Sequence, residues 1–187
     1  MYASDLTARS AVLPAAPQTM RARTLNAHSL RGFRRLFITL PVPDAATLSG
    51  TFRAEFVGPG WLRKIAPTAL VLGGLGGWWG KQFAGDGRGT NIVHQDGVLA
   101  PVMPVDLGLA DSLIDRRPCV AVTYPAGSPF PWPWVVDELR FLDDDTLLGL
   151  TLLNLRGARR VAFPFLLHHT TNLPIAQSQT EIRRSRN

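Results

Sequence analysis

Val135-Val136-Asp137-Glu138-Leu139-Arg140-Phe141-Leu142, then Asp143-Asp144-Asp145, then Thr146-Leu147-Leu148-Gly149-Leu150-Thr151-Leu152-Leu153-Asn154-Leu155 is the stretch from which the fold is read. Two apolar runs flank a short acidic turn, the pattern of a β-hairpin. Successive strand residues point to opposite faces. The leucines at 147, 148, 150, 152, 153 and 155 therefore make the second run apolar on both sides. A strand of that kind lines an interior with one face and packs under an outer helix with the other.

The neighbouring sequence repeats the theme. Val120–Tyr124 and Phe163–His168 read as strands, and Thr51–Val57 alternates Phe52, Ala54 and Phe56 against Arg53 and Glu55. Asn91–His94 and Val98–Val105 flank Gln95-Asp96-Gly97, a hairpin turn that needs positive φ. Pro101 and Pro104 limit the regularity of its second arm. Many short antiparallel strands with frequent turn signals predict an all-β chain, an antiparallel lipocalin-like β-barrel just wide enough for a core or one small ligand. Ser29–Leu40 reads as a short basic amphipathic helix ended by Pro41 and Pro43. Its apolar side is expected against the barrel, with weak contact to a membrane surface as the other use of this basic N-terminal segment.

The chain has 187 residues, 45% of them hydrophobic, and a formal charge of +6. Taken whole, that charge suggests a nucleic-acid or membrane partner. Divided, it does not: residues 1–35 carry +5, residues 181–187 carry +2, and residues 36–180 carry −1. The expected organisation is a basic N-terminal extension (1–35), a near-neutral barrel domain (36–180) and a basic C-terminal tail (181–187), with no nucleic acid as partner. The uncharged windows Ile65–Gly80 and Pro118–Val136 are respectively too short and too rich in proline for a transmembrane segment. No apolar run of signal-peptide length occurs in the first 30 residues, so a cytoplasmic location is expected. The single Cys119 lies in an apolar run and reads as a buried, inert thiol. Neither a metal nor a cofactor is expected: the Asp143–Asp145 turn lacks calcium-loop spacing, and adjacent His168 and His169 face opposite ways on a strand.

Two aromatic clusters carry the functional signal. Gly73-Gly74-Leu75-Gly76-Gly77-Trp78-Trp79-Gly80-Lys81-Gln82-Phe83 is not a phosphate loop, because Gln82 stands where Ser or Thr is needed. It reads as a glycine-rich loop in which Trp78, Trp79 and Phe83 offer a ligand wall and Lys81 a charged anchor. A loop capping the barrel with a core Trp is the competing reading. In Pro129-Phe130-Pro131-Trp132-Pro133-Trp134 the prolines stiffen a rim that projects Trp132 and Trp134, at a pocket mouth or toward a protein partner, with a structured loop closing the barrel end as the competing reading.

Gly77-Trp78-Trp79-Gly80-Lys81-Gln82-Phe83 and Asp137-Glu138-Leu139-Arg140-Phe141-Leu142-Asp143-Asp144-Asp145-Thr146-Leu147-Leu148-Gly149 resemble segments of the small bacterial GXWXG family and its associated domain of unknown function. The Gly-x-Trp-x-Gly motif itself is absent, the nearest segment being Gly58-Pro59-Gly60-Trp61-Leu62, so the resemblance is to a divergent member. It implies a lipocalin-like barrel and weight on Trp78, Lys81, Asp137 and Arg140, and it implies no reaction.

Strand alternation puts Asp137 with Leu139 and Phe141, and Glu138 with Arg140 on the other side. If the first face looks inward, Asp137 is a buried carboxylate that needs a partner such as Lys81. An Asp with a raised pKa beside an aromatic pocket suits general acid–base work. Glu138 and Arg140 read as a solvated surface pair, although Arg140 also enters the candidate ligand set through the resemblance. The candidate catalytic residues are Asp137, Tyr124 and His94; the candidate ligand contacts are Trp78, Trp79, Lys81, Phe83, Trp132, Trp134 and Arg140. The expected function is binding of one hydrophobic small molecule, as a carrier or as a cofactor-independent isomerase or cyclase. A protein-interaction module and a haem barrel using His94 or His168 are the alternatives.

Overall fold

A computed structural model of the protein describes residues 24–155 and 162–171. The expectations for residues 1–23 and 181–187 lie outside them. Eight strands follow one another as β1 Ser49–Phe56, β2 Trp78–Ala84, β3 Arg88–Gln95, β4 Val98–Asp111, β5 Pro118–Thr123, β6 Val135–Asp143, β7 Thr146–Leu153 and β8 Ala162–Thr170. Each pairs antiparallel with the next, and β8 closes on β1 with Phe56 opposite Phe165 and Thr51 opposite Thr170. The expected all-β antiparallel barrel with a short N-terminal helix is the fold. Closure leaves no free sheet edge. The β3–β4 turn is the predicted one: Asp96 and Gly97 both have positive φ, at 51° and 81°.

The hairpin β6–β7 is buried on both sides. Inward, Val135, Leu139 and Leu147 join Phe52, Phe83, Val105, Val120, Val122, Phe165 and Leu167 in the barrel core. Gly149 leaves the space that the Phe165 ring fills, since a Cβ there would lie 2.2 Å from the ring. Outward, Leu148, Leu150, Leu152 and Leu166 meet Phe33 and Phe37 of the helix α1, Leu30–Phe37, which Ser29 caps. The apolar side of α1 is thus occupied by the barrel wall, as the packing alternative required.

Two segments depart from expectation. Gly60–Leu72 forms a helix, α2, which strand logic had left unassigned. Leu, Arg, Lys and Ala favour it, and Pro67 inside it costs one backbone hydrogen bond. It was hard to see because apolar residues occur all round it, without a single periodic face. The second is the supposed glycine-rich loop, which becomes strand β2 from Trp78 onward.

The two barrel ends differ. At one, Ala45 and Leu48 of the chain entering β1 are buried in the core. At the other stand α2, the β3–β4 turn and the β5–β6 loop with its short helical turn Trp132–Trp134.

Candidate functional site

Five polar side chains meet inside the barrel. Lys81 Nζ lies 3.0 Å from Asp137 Oδ2, 3.0 Å from the Tyr124 hydroxyl and 2.9 Å from Asn91 Oδ1. Tyr124 donates to Asp137 Oδ2 at 3.1 Å, and Thr151 donates to Asp137 Oδ1 at 2.6 Å. Asn91 also accepts from Trp78 Nε1 at 3.1 Å and donates to the Met103 carbonyl at 3.1 Å. Lys81 and Asn91 are fully buried and Asp137 nearly so. Lys81 is the partner that a buried Asp137 demanded.

Backbone irregularities aim this cluster. Strict alternation would put Trp78 and Lys81, three residues apart, on opposite faces. A bulge intervenes: Trp78 pairs with Val93 and Gly80 with Ile92, leaving Trp79 as the extra residue. Both Trp78 and Lys81 consequently face inward. A second bulge makes Met103 the extra residue between Val102, opposite Asn91, and Pro104, opposite Thr90. Met103 has φ 51°, and its carbonyl meets Asn91 Nδ2.

Aromatic rings surround the cluster. Lys81 Nζ lies 5.2 Å from the Tyr124 ring centre and 5.7 Å from that of Trp78. Trp78 meets Phe56 and Phe165 at 5.7 and 5.6 Å between centroids. Trp132 stacks on Tyr124 at 4.8 Å and donates its indole N–H to the Gly73 carbonyl, tying the β5–β6 loop to the end of α2. Leu70 of α2 packs on the core from the same side. Trp78 and its inward neighbours Ala54, Ala100 and Val102 are only half-buried at this end.

The chemistry follows from which hydrogens are committed. All three Lys81 N–H bonds go to protein acceptors. Burial, and next the Asp137 charge, push the Tyr124 hydroxyl well above its ordinary pKa, so it stays a donor. Three donors, from Lys81, Tyr124 and Thr151, converge on the Asp137 carboxylate.

Of the other candidates, Phe83 is inward but two residues deeper, against Phe52 at 5.4 Å. Trp79 stays outside the interior apolar cluster. The rim pair divides: Trp132 is buried in the core, whereas Trp134 is 44% exposed beside Phe130. His94 follows inward Val93 and is exposed on the outer wall, so it leaves the catalytic set. His168 is also outward, 2.9 Å from Glu55, so neither haem candidate faces the interior.

Arg140 is corrected most sharply. It is buried on the outside of the wall, beneath α1, with bonds to Asp115, Phe37 O and Pro118 O. Glu138 beside it is buried too and accepts from Ser112 and the Leu113 amide. The expected surface pair is a structural cluster, because α1 and the β4–β5 connection cover that face. Cys119, under the same cover, has its thiol pushed up to about 12 by burial, then by the Glu138 charge. Asn91 and Thr151 were missed; their inward register beside Val93 and opposite Asp137 was the signal that could have found them.

Among the described residues no three His, Cys, Asp or Glu side chains gather as a metal site, and no helix is long and apolar enough to cross a membrane. A separate cleft of about 590 Å³ lies at the opposite end, between Val42–Ala46, Asp86–Gly87 and Leu107–Leu109, away from the buried cluster. No family model and no curated protein matches the chain. It is similar to a solved structure described as "Crystal structure of protein from Thermomonospora curvata", at 17% sequence identity, covering 73% of this chain and 84% of that one, with a TM-score of 0.56. At that identity the likeness is one of fold.

Proposed function

We propose that the barrel binds one apolar small molecule at the α2 end, over the Lys81–Asp137–Tyr124–Asn91 cluster. The observation that carries this is a buried charged pair, set beside Trp78 by the β2 bulge and lying beneath the half-buried aromatic side chains Trp78 and Phe56. Pockets of this kind combine apolar walls with a few convergent polar groups. Trp78, Phe56, Ala54 and Val102 form the wall; Trp132 braces Tyr124 from behind.

The commitment of every Lys81 hydrogen favours a carrier over a catalyst. An isomerase or cyclase acting without a cofactor is the second reading, and it rests on Tyr124. Its hydroxyl is kept protonated beside an ammonium, and that pair would polarise a ligand carbonyl if Tyr124 turned from Asp137. Kinship with the GXWXG family as a divergent member also belongs to this proposal. What supports it is that the two resembling segments touch each other at Lys81 and Asp137.

The test is extraction of the purified protein with organic solvent and mass spectrometry, followed by titration with the apolar probe N-phenyl-1-naphthylamine. Saturable uptake of one equivalent, weakened by Trp78→Ala, is expected. Uptake that is non-saturable, or untouched by Trp78→Ala, overturns the site. Turnover of an extracted ligand that survives Tyr124→Phe overturns the catalytic version alone.

A further inference from the structure

Eight of the ten large apolar side chains that stand exposed among the described residues belong to the α2 end of the barrel; the other two are Val42 and Leu109. Leu72 is 84% exposed, Phe130 76% and Val71 60%. Trp61, Ile65 and Leu72 follow helical spacing along the outer side of α2, while Leu62, Ala66 and Leu70 turn toward the barrel. A helix apolar on both sides is ordinarily buried on both. Phe130 and Trp134 continue the patch, because the Trp132–Gly73 hydrogen bond fixes their loop to the end of α2.

Charge follows the same division. In α2 and the β5–β6 loop the charged residues are Arg63 and Lys64, without an acid, and the β3–β4 turn adds Asp96. The opposite end carries Asp44, Asp86, Asp111, Asp115, Asp143, Asp144 and Asp145 against Arg88, Arg116, Arg117 and Arg140, the last paired with Asp115. A molecule polarised this way orients itself on an anionic plane with its apolar end toward the plane.

We propose that the α2 end docks on an anionic lipid bilayer, with Trp61, Ile65, Leu72 and Phe130 entering the interface and Arg63 and Lys64 meeting phosphate groups. An apolar patch with tryptophans and two cations fits a headgroup boundary, where ring and cation both find their solvent. The docked end is the one at which the proposed interior site lies, yet docking requires no ligand, so it stands or falls apart from that site.

The experiment is sedimentation of the full chain with vesicles of phosphatidylcholine and phosphatidylglycerol, and with phosphatidylcholine alone. Binding to the anionic vesicles is expected, weaker on neutral ones and weakened by salt. Leu72→Ser with Phe130→Ser lowers the partition coefficient about tenfold or more, from lost apolar contact. Arg63→Gln with Lys64→Gln lowers it by about tenfold. Val42→Ser with Leu109→Ser leaves it unchanged. Urea unfolding checks that each variant is folded, as exposed positions allow. Absence of binding overturns the proposal. So does binding untouched by both α2-end pairs, which places the contact on the basic termini. Self-association in lipid-free buffer that Leu72→Ser abolishes also overturns it, because a second copy then covers the patch.

Discussion

Strand β6 feeds two buried charged clusters, one on each face of the same wall. Outward, Arg140 binds two backbone carbonyls and a carboxylate from three different segments: Phe37 of α1, Pro118 of β5 and Asp115 of the β4–β5 connection. Glu138 next to it holds Ser112 and the Leu113 amide of that connection. The outer cluster fastens covering segments to the barrel. Inward, Lys81, Asp137, Tyr124 and Thr151 bond side chain to side chain, and the barrel ladder already fixes the strands that carry them. The inner cluster fastens less: Asn91 holds the carbonyl of the Met103 bulge and Tyr124 stands one residue past β5, but no covering segment hangs on it. A buried ion pair with no stapling task is on average no better for stability than well-packed apolar residues, and that contrast is the reason to place function on the inside.

The largest expected effect is on the outer side. Arg140→Met removes the one side chain that links Phe37 O, Pro118 O and Asp115, and about 3–5 kcal/mol of stability is lost. Adding Asp115→Leu does not restore it, because the links to Phe37 and Pro118 stay broken. Lys81→Met costs about 3 kcal/mol for the stranded carboxylate; Lys81→Met with Asp137→Leu recovers part of that and stays short of the parent, because the Tyr124 and Thr151 hydroxyls lose their acceptor. Urea unfolding of all four variants decides the matter. An inner double no more stable than Lys81→Met alone would make the inner cluster structural as well, and the contrast would collapse.

Tyr124→Phe separates the clusters more finely. It leaves one Lys81 hydrogen unmet at a cost of about 1–2 kcal/mol, while the shape under Trp132 is kept. If the inner cluster is a binding floor, affinity for N-phenyl-1-naphthylamine changes little, whereas affinity for a ligand bearing a carbonyl falls. Equal losses for both would show a packing defect instead.

The asymmetry of β6 was half legible in the sequence. Alternation put Asp137 on the face of Leu139 and Phe141, and the doubly apolar Thr146–Leu155 announced both an interior and a covering helix. Those are local, period-two signals. The mistakes have two causes, distance and local irregularity. Arg140 looked solvated because its cover arrives from Phe37 and Pro118, remote in sequence. Trp78 and Lys81 share a face only through a bulge, which alternation alone does not reveal. Helix α2 hid because its apolar residues have no single periodic face, the same property that leaves Trp61 and Leu72 exposed. His94 was chosen for its chemistry, yet its place after Val93 already turned it outward.

The smallest expected effect is a dependence on pH that belongs to the outer cluster. Burial pushes Glu138 above its ordinary value of 4.5, and the Ser112, Leu113 and Arg140 contacts recover only part of that. Asp115 is also pushed up by burial, but the Arg140 hydrogen bond and its companions win and hold it below 3.8. As pH rises past 4.5 the unfolded chain releases the Glu138 proton before the folded one does. The folded state then binds more protons, so stability falls with rising pH until Glu138 ionises in the fold. Asp115 acts in the opposite sense: its contribution is present above 3.8 and is lost as pH falls toward its lowered value. Unfolding measured from acid to neutral pH should therefore decline on the neutral side of Glu138's ordinary value, and Glu138→Gln should flatten that decline. Lys81→Met with Asp137→Leu should leave it in place. A decline that disappears in the inner double and persists in Glu138→Gln would move the pH-responsive group to the inner face, and Arg140's neighbourhood would then be the inert side of the wall.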